Sequence, residues 1–224
     1  MRLPSATKAL SLALAIFALA AGTTLRAATA EPARADSDWI LARLAQPVPA
    51  RTSFVELRGS RLLKKPLRLQ GEYRRPDRDT LVREVTAPYA ETTTIRAGEV
   101  VIARAGRTPR RFSLARVPEL AGLQTSFGAL LGGDREQLEQ HYRIDTQGTR
   151  QRWTMTLTPK DPAMQEKLET ITLYGRGAEL RCIETQPVQG DAQRTLLAGA
   201  ARAATGVTGA GALAALCYGG AKSQ

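Results

Sequence analysis

The sequence predicts a mainly β protein, an antiparallel sheet with a few helices, on the basis of three observations. Residues 67–74 alternate apolar and polar side chains, which is the period of a strand with one buried face. Further segments of strand length are separated by Gly and Pro turn signals and not by helices, which is typical of an antiparallel meander. Residues 118–131 differ, because their apolar side chains recur at the three- and four-residue steps of a helix.

The first thirty residues predict a cleaved signal peptide. Arg2 and Lys8 accompany an apolar run at residues 9–22, and residues 28–30, Ala-Thr-Ala, have the small side chains of a cleavage site. The run is shorter than the about 20 apolar residues that a membrane-spanning helix needs. We therefore expect cleavage after residue 30, a periplasmic location in a Gram-negative bacterium, and a single domain over residues 31–224.

The domain begins with a short predicted helix. Asp36 or Ser37 can cap it, and Trp39, Ile40 and Leu44 share one of its faces. Prolines shortly after the last of these residues end the helix.

Strands follow the helix in quick succession. We expect a turn at the Gln-Gly step of residues 147–148 and a mobile loop over residues 162–167. The predicted strands are residues 53–58, 67–74, 80–85, 91–96, 100–103, 110–114, 141–146, 150–158, 168–174, 179–186 and 194–197.

Arg75 has an unusual position in this pattern. Leu69 and Tyr73 fall on the apolar face of their strand, and Pro76 ends the pairing because it has no N–H for a ladder. Arg75 is therefore predicted just beyond the last strand residue, at the rim of the apolar face. A cation at the mouth of a hydrophobic surface is a placement that the rest of the chain has to explain.

The helix predicted over residues 118–131 has two interpretations. Leu123 and Phe127 lie on its apolar side, and glycines interrupt and end it. The helix is either a lid over the concave face of the sheet or a fixed part of the core, and the pattern is compatible with both.

The chain has two cysteines, Cys182 and Cys217. In an oxidising compartment such a pair predicts a disulfide, and buried free thiols are the alternative. A disulfide would hold the Ala- and Gly-rich tail at residues 198–224 against the sheet. Leu213 and Leu216 can pack in a short final helix there, whose glycines and brevity argue against a membrane span.

Little in the sequence predicts catalysis. His141 is the only histidine, and no Ser or Cys beside it forms a nucleophile arrangement. Asp77 and Asp79 flank Arg78 in a predicted turn, and no cluster of ligating residues has metal-site spacing. We therefore predict no enzymatic activity, no metal and no cofactor.

The formal charge of +11 raises the question of an acidic partner. Nucleic acid is not expected, because the arginines are scattered along alternating strands and are not clustered with exposed aromatic residues. Anionic lipid headgroups or an acidic protein would fit such a face, and a solvated basic surface without a partner is the alternative.

Three short motifs resemble the outer-membrane lipoprotein carrier family LolA. They are Gly-Glu-Tyr-Arg-Arg-Pro at residues 71–76, Ile-Arg-Ala-Gly at 95–98 and Leu-Thr-Pro-Lys at 157–160. Their order, with the signal peptide and the N-terminal helix, is similar to that of the family over roughly residues 36–186. The resemblance implies an eleven-stranded antiparallel half-barrel of the LolA/LolB kind, closed by a helical lid.

The resemblance also implies a function and partners. Such proteins carry the acyl chains of lipoproteins through the periplasm, from an inner-membrane ABC transporter to an outer-membrane acceptor. In that family an arginine of the basic step before proline bonds to the lid and keeps the empty cavity shut, and the matching residue is Arg75. A monomeric carrier, or chaperone, for an acyl cargo is therefore the expected function.

The expected cavity follows from a one-sided sheet that has too few helices to fill it. Its predicted gate and lining residues are Arg75, Leu69, Tyr73, Trp153, Met155, Leu157, Leu123 and Phe127, although an ordinary core role would suit each lining residue equally.

The cargo and the role leave alternatives open. Few aromatic residues and a Cys-containing tail differ from the best-known carriers, so the cargo could also be a glycolipid or an aryl-polyene pigment lipid. A periplasmic lipid or lipoprotein sensor with the same fold is the second candidate function. An accessory protein or enzyme of aryl-polyene or glycolipid maturation is the third.

Overall fold

The computed structural model describes residues 32–58, 67–114, 129–207 and 209–218, and the predicted signal peptide lies outside these residues. In the described residues a single sheet carries eleven strands, all paired antiparallel, which confirms the predicted fold class. The strands are β1 (Ala50–Arg58), β2 (Leu67–Arg75), β3 (Thr80–Ala87), β4 (Glu91–Arg96), β5 (Glu99–Arg104), β6 (Arg110–Ser113), β7 (Tyr142–Thr149), β8 (Arg152–Pro159), β9 (Leu168–Arg176), β10 (Glu179–Pro187) and β11 (Gln193–Leu197).

The helices lie before, between and after the strands. They are α1 (Ser37–Leu44), α2 (Arg135–His141), α3 (Pro162–Gln165), α4 (Ala198–Ala203) and α5 (Ala210–Cys217). Residues 129–132 are also helical and coincide with the end of the helix predicted over residues 118–131, most of which lies outside the described residues. In the described part of the chain, no helix has the length and apolar character to cross a membrane.

The sheet consists of two meanders joined at β1. Its strand order is β6-β5-β4-β3-β2-β1-β11-β10-β9-β8-β7, so β6 and β7 are its two edges and the sheet is open. The first and last strands of the sequence are neighbours, with Phe54 opposite Leu197. The side chains of β1 therefore contact both meanders.

The two faces of the sheet carry separate apolar clusters. We call the face with Phe54, Leu69 and Met155 the inner face and the opposite one, with Val55 and Leu196, the outer face. Leu180 and Ile183 of β10 pack against both inner clusters and join them into one surface. A register shift in β10 between positions 180 and 182 allows these two residues to share a face.

Three helical segments, α1, residues 129–132 and α2, form the inner covering. Asp36 caps α1 by accepting a 2.8 Å hydrogen bond from the Trp39 amide, as predicted. The buried residues of α1 are Ile40, Leu41 and Leu44, and Trp39 packs, partly buried, against the same cluster. The guanidinium of Arg43 lies 5.7 Å from the centroid of the Trp39 ring.

Trp153 illustrates how the inner face is packed in the β7–β10 region. Its buried indole lies over Gly175, where a Cβ atom would be 1.9 Å from the ring. The indole Nε1 donates a 2.9 Å hydrogen bond to the Gly177 carbonyl. Only glycine at position 175 permits this arrangement, in which a large aromatic side chain is both buried and hydrogen-bonded.

The outer covering consists of α4, α5 and Tyr218. Buried Ala200, Ala201 and Leu213 pack on the outer face, and the Cys182–Cys217 disulfide joins α5 to β10 with a Cα–Cα distance of 5.0 Å. The predicted disulfide is therefore confirmed, and the tail forms two helices where one was expected.

A carboxylate reinforces the outer covering. Glu184 accepts hydrogen bonds from the hydroxyls of Tyr218, at 2.8 Å, and Tyr174, at 3.2 Å. Arg194 forms an ion pair with Glu184 at 2.5 Å. Burial, and then the neighbouring Glu184 carboxylate, raises the pKa of both tyrosines.

Three local predictions were wrong. Strand β7 continues through the expected turn at residues 147–148, because Gly148, at φ +93°, still pairs with Trp153, and the turn falls at residues 150–151. The expected mobile loop over residues 162–167 begins with α3, which Asp161 caps at the Met164 amide. His141 ends α2, which Asp134 caps, and does not begin a strand.

Candidate functional site

Arg75 lies where the sheet meets the inner covering. It is the last residue of β2, paired with Ala50, and thus one position further inside the strand than predicted. Alternation places its half-buried side chain on the same face as Tyr73. Its Nη1 donates a 3.2 Å hydrogen bond to the carbonyl oxygen of Leu131, in the helical segment 129–132. A role for this bond in gating a cavity stays a prediction.

The predicted lining residues that the structure describes share the inner face. Leu69, Trp153, Met155 and Leu157 are at most 2% exposed, and Tyr73 packs against the Phe54 ring with a centroid distance of 4.8 Å. Leu123 and Phe127 lie outside the described residues. Contact of any of these residues with a ligand stays a prediction.

The lining residues form two groups along the inner face. Trp153, Met155 and Leu157 pack in one cluster with the inner covering, whereas Leu69 and Tyr73 belong to the cluster of Phe54 and Val85 on the other side of β10. In the part of the chain that the structure describes, the first cluster has helical partners and the second consists of strand residues and Tyr89.

The second cluster contains charges that the sequence analysis missed. Glu56 is 5% exposed and forms ion pairs with Arg58 and, at 2.6 Å, with Arg83. The Arg83 guanidinium also lies 4.8 Å from the centroid of the Phe54 ring. Glu56 is two residues from Phe54, and Arg83 is two residues from Val85, so alternation places both charges on the inner face. A charged residue at an inward position was the signal available in the sequence.

Burial shifts the ionisation of this cluster. It raises the pKa of the Tyr73 hydroxyl, and the Glu56 carboxylate adds to this effect. Burial, the largest single effect on Arg83, lowers its pKa, but the attraction of Glu56 and smaller contributions from Glu56 and Tyr73 together outweigh it, and the pKa is raised overall. Tyr73 therefore stays neutral and Arg83 stays charged at physiological pH, so this part of the inner face keeps hydrogen-bond donors next to apolar side chains.

The aspartates that the sequence analysis considered for catalysis, Asp77 and Asp79, take part in the local hydrogen bonding of a turn. Asp77 accepts hydrogen bonds from the Asp79 amide at 2.9 Å and from the Thr80 hydroxyl at 3.0 Å, which is the local bonding of a turn. Over the described ranges, no group of three or more His, Cys, Asp and Glu side chains could hold a metal ion.

The fold and the site together define a class of protein in which helices cover the buried apolar inner face of an open antiparallel sheet. A family model described as outer membrane lipoprotein carrier protein LolA-like matches residues 28–221. The chain therefore belongs to the LolA-like family, which confirms the resemblance.

Solved structures and curated proteins add little to this assignment. A LolA superfamily protein from Nitrosomonas europaea is 10% identical, with a TM-score of 0.37, and the match covers 73% of this chain and 91% of that one. LprF from Mycobacterium bovis is 14% identical, with a TM-score of 0.33, and the match covers 75% of this chain and 94% of that one. No curated protein matches the chain.

Proposed function

We propose that this protein is a periplasmic carrier that binds the acyl chains of a lipoprotein or related lipid on the inner face and delivers them to the outer membrane. Membership of the LolA-like family supports a lipidic cargo. An inner-membrane ABC-type exporter as donor and an outer-membrane acceptor are parts of the same proposal, as is a carrier role without enzymatic activity.

The observation that carries the proposal is the hydrogen bond from Arg75 to Leu131. It connects the end of a sheet strand to a helical segment that packs, through Ala129 and Leu130, on the inner apolar cluster. Separation of this segment from the sheet would break the bond and expose the apolar surface that Ala129 and Leu130 cover. A ligand that replaces that surface would compensate for both losses.

Magnitudes support acyl chains as that ligand. Burial of each CH₂ group contributes about 0.8 kcal/mol, so a long acyl chain contributes on the order of 10 kcal/mol. A hydrogen bond from a charged group contributes about 1.5 to 3 kcal/mol. Binding of the chain can therefore break the Arg75 bond, and the bond can still favour the empty, closed state once the chain has left.

Two experiments test the carrier proposal. Mass spectrometry of lipids that co-purify with the protein from the native periplasm should identify an acyl cargo. The purified protein should also increase the rate at which that labelled cargo moves from donor to acceptor vesicles. Absence of any lipid, together with no binding of a fluorescent acyl probe, would exclude the carrier function. Binding without any transfer would instead support the sensor.

A further inference from the structure

One charged cluster on the inner face has no part in the gating just described. It consists of Glu56, Arg58, Arg83 and Tyr73, which come from the three adjacent strands β1, β2 and β3. Glu56 is 5% exposed, and the side chain of Arg83 is 15% exposed. Phe54, Leu69 and Val85, all buried, lie on the same face, and Arg83 contacts the Phe54 ring, whereas the side chain of Arg58 is 46% exposed.

The cluster contains more positive than negative charge. The single carboxylate of Glu56 is shared by two guanidinium groups, those of Arg58 and Arg83. On the next strand, Thr93 lies opposite Arg83. Glu91, two residues from Thr93, is already bound by Arg104 through hydrogen bonds of 2.7 and 3.1 Å. Within the described residues, these neighbours supply no second carboxylate to the cluster.

The guanidinium of Arg83 also has N–H groups that its ion pair with Glu56 does not use. A guanidinium carries five N–H donors. Among the described residues, Arg83 donates a hydrogen bond of 2.6 Å to Glu56. Planar guanidinium groups bind carboxylate and phosphate oxygens in pairs, and such bonds are stronger in a poorly hydrated site.

We propose that this cluster binds the anionic headgroup, a carboxylate or phosphate, of an amphiphilic cargo. The inference rests on the proposed carrier function and specifies its cargo. The headgroup contacts Arg83 and Arg58 and supplies the negative charge that the cluster lacks. The acyl chain extends from there over Phe54 and Leu69 on the inner face.

A pair of probes with the same chain tests the inference. The fluorescent polyene cis-parinaric acid, ionised at pH 8, and its uncharged methyl ester are titrated separately into the full-length mature protein. The acid should bind about tenfold more tightly than the ester, because one charge-assisted contact is worth at least that factor. Arg83→Gln should reduce binding of the acid to the level of the ester and leave the ester unchanged.

Arg104→Gln is the matched control. Arg104 lies on the same face, pairs with one carboxylate and stacks on the Tyr89 ring at 4.1 Å, and the substitution removes the same charge. It should leave the preference for the acid intact. An equal loss in both variants would mean that a general positive potential attracts the probe, and the proposed site would be wrong.

Other outcomes are equally informative. If the wild-type protein binds acid and ester equally, the headgroup site is wrong but the carrier function stands; if it binds neither, the carrier function itself fails. Inorganic phosphate at the concentration of the probe should not displace the acid, and displacement would overturn the assignment to a lipid headgroup. If Arg83→Gln does not fold, Glu56→Gln decides, because it keeps both arginines and should increase the preference for the acid severalfold. An unchanged preference in that variant would overturn the proposal.

Discussion

The two faces of the sheet are covered in different ways. The outer covering is joined to β10 by a disulfide and by the hydrogen bond that the Tyr218 hydroxyl donates to Glu184. In the described residues no disulfide joins the inner covering to the sheet, and its contact with the end of β2 is the hydrogen bond from Arg75 to Leu131. Unlike α5, the inner covering can therefore separate from its face without the breaking of a disulfide.

Because of this difference, stability and ligand binding depend on different faces of the sheet. A covalent bond on the outer face can hold the sheet together while apolar surface on the inner face is exposed to a ligand. Loss of the outer attachments should consequently reduce the free energy of unfolding most, whereas loss of the inner one should mainly alter ligand exchange.

Removal of the disulfide should have the largest effect on stability. The bond closes a loop with a sequence separation of 35, for which the chain-entropy model gives about 4 kcal/mol. The double variant Cys182→Ser, Cys217→Ser should lose about that much in urea unfolding. The wild-type protein in dithiothreitol is the matched control, since the chain has no other cysteine. A loss below about 1 kcal/mol would contradict the inference that the disulfide of the outer covering is important for stability.

Alkaline pH should have a smaller effect, through Tyr174 and Tyr218. Burial raises the pKa of both above its ordinary value, so their contribution to stability is complete below about pH 10 and is lost as the pH rises through the folded-state pKa. The free energy of unfolding should therefore fall above pH 10, and less steeply in the variant with Phe at both positions. Tyr89→Phe, at a half-exposed tyrosine outside the outer covering, is the control for tyrosine ionisation in general. Equal slopes for the wild-type and the double Phe variant would refute a role of the outer tyrosines.

Arg75→Leu should have the smallest effect on unfolding and a clear effect on release. The guanidinium is half-buried and can rebind water, so we expect a loss of about 1 kcal/mol. The variant should still take up an acyl probe but release it to vesicles about fivefold more slowly, because the closed, empty state has lost that same energy. Arg78→Leu, in the exposed bend after β2, is the control. Unchanged release would show that Arg75 is a surface residue without a gating role.

The strands were predictable because the sheet buries its two faces unequally. In β8 every second residue from Trp153 onward is buried, so alternation in the sequence directly reflects alternation in the structure. The prediction of a turn at residues 147–148 was wrong, because Gly148 continues to pair in the ladder despite a positive φ. Helix α3 has four residues, which is too short for helical periodicity to be detected.

The candidate site was only partly predictable. Arg75 stood out because it follows an alternating strand and precedes Pro76. Glu56 and Arg83 did not, because they lie 27 residues apart and on strands that do not pair directly. Their proximity depends on the registers of β1 with β2 and of β2 with β3, including an irregularity at Gly71, and no local pattern in the sequence encodes these.

The position of β1 in the sheet also affects the order of folding. One edge of this strand pairs with β2, but the other must wait for β11, close to the end of the chain. Such pairing between distant parts of the sequence slows folding. A chain that crosses a membrane N-terminus first would thus have an unpaired edge until almost all of it had emerged. If the protein is exported as proposed, its sheet is therefore completed only after β11 has crossed the membrane.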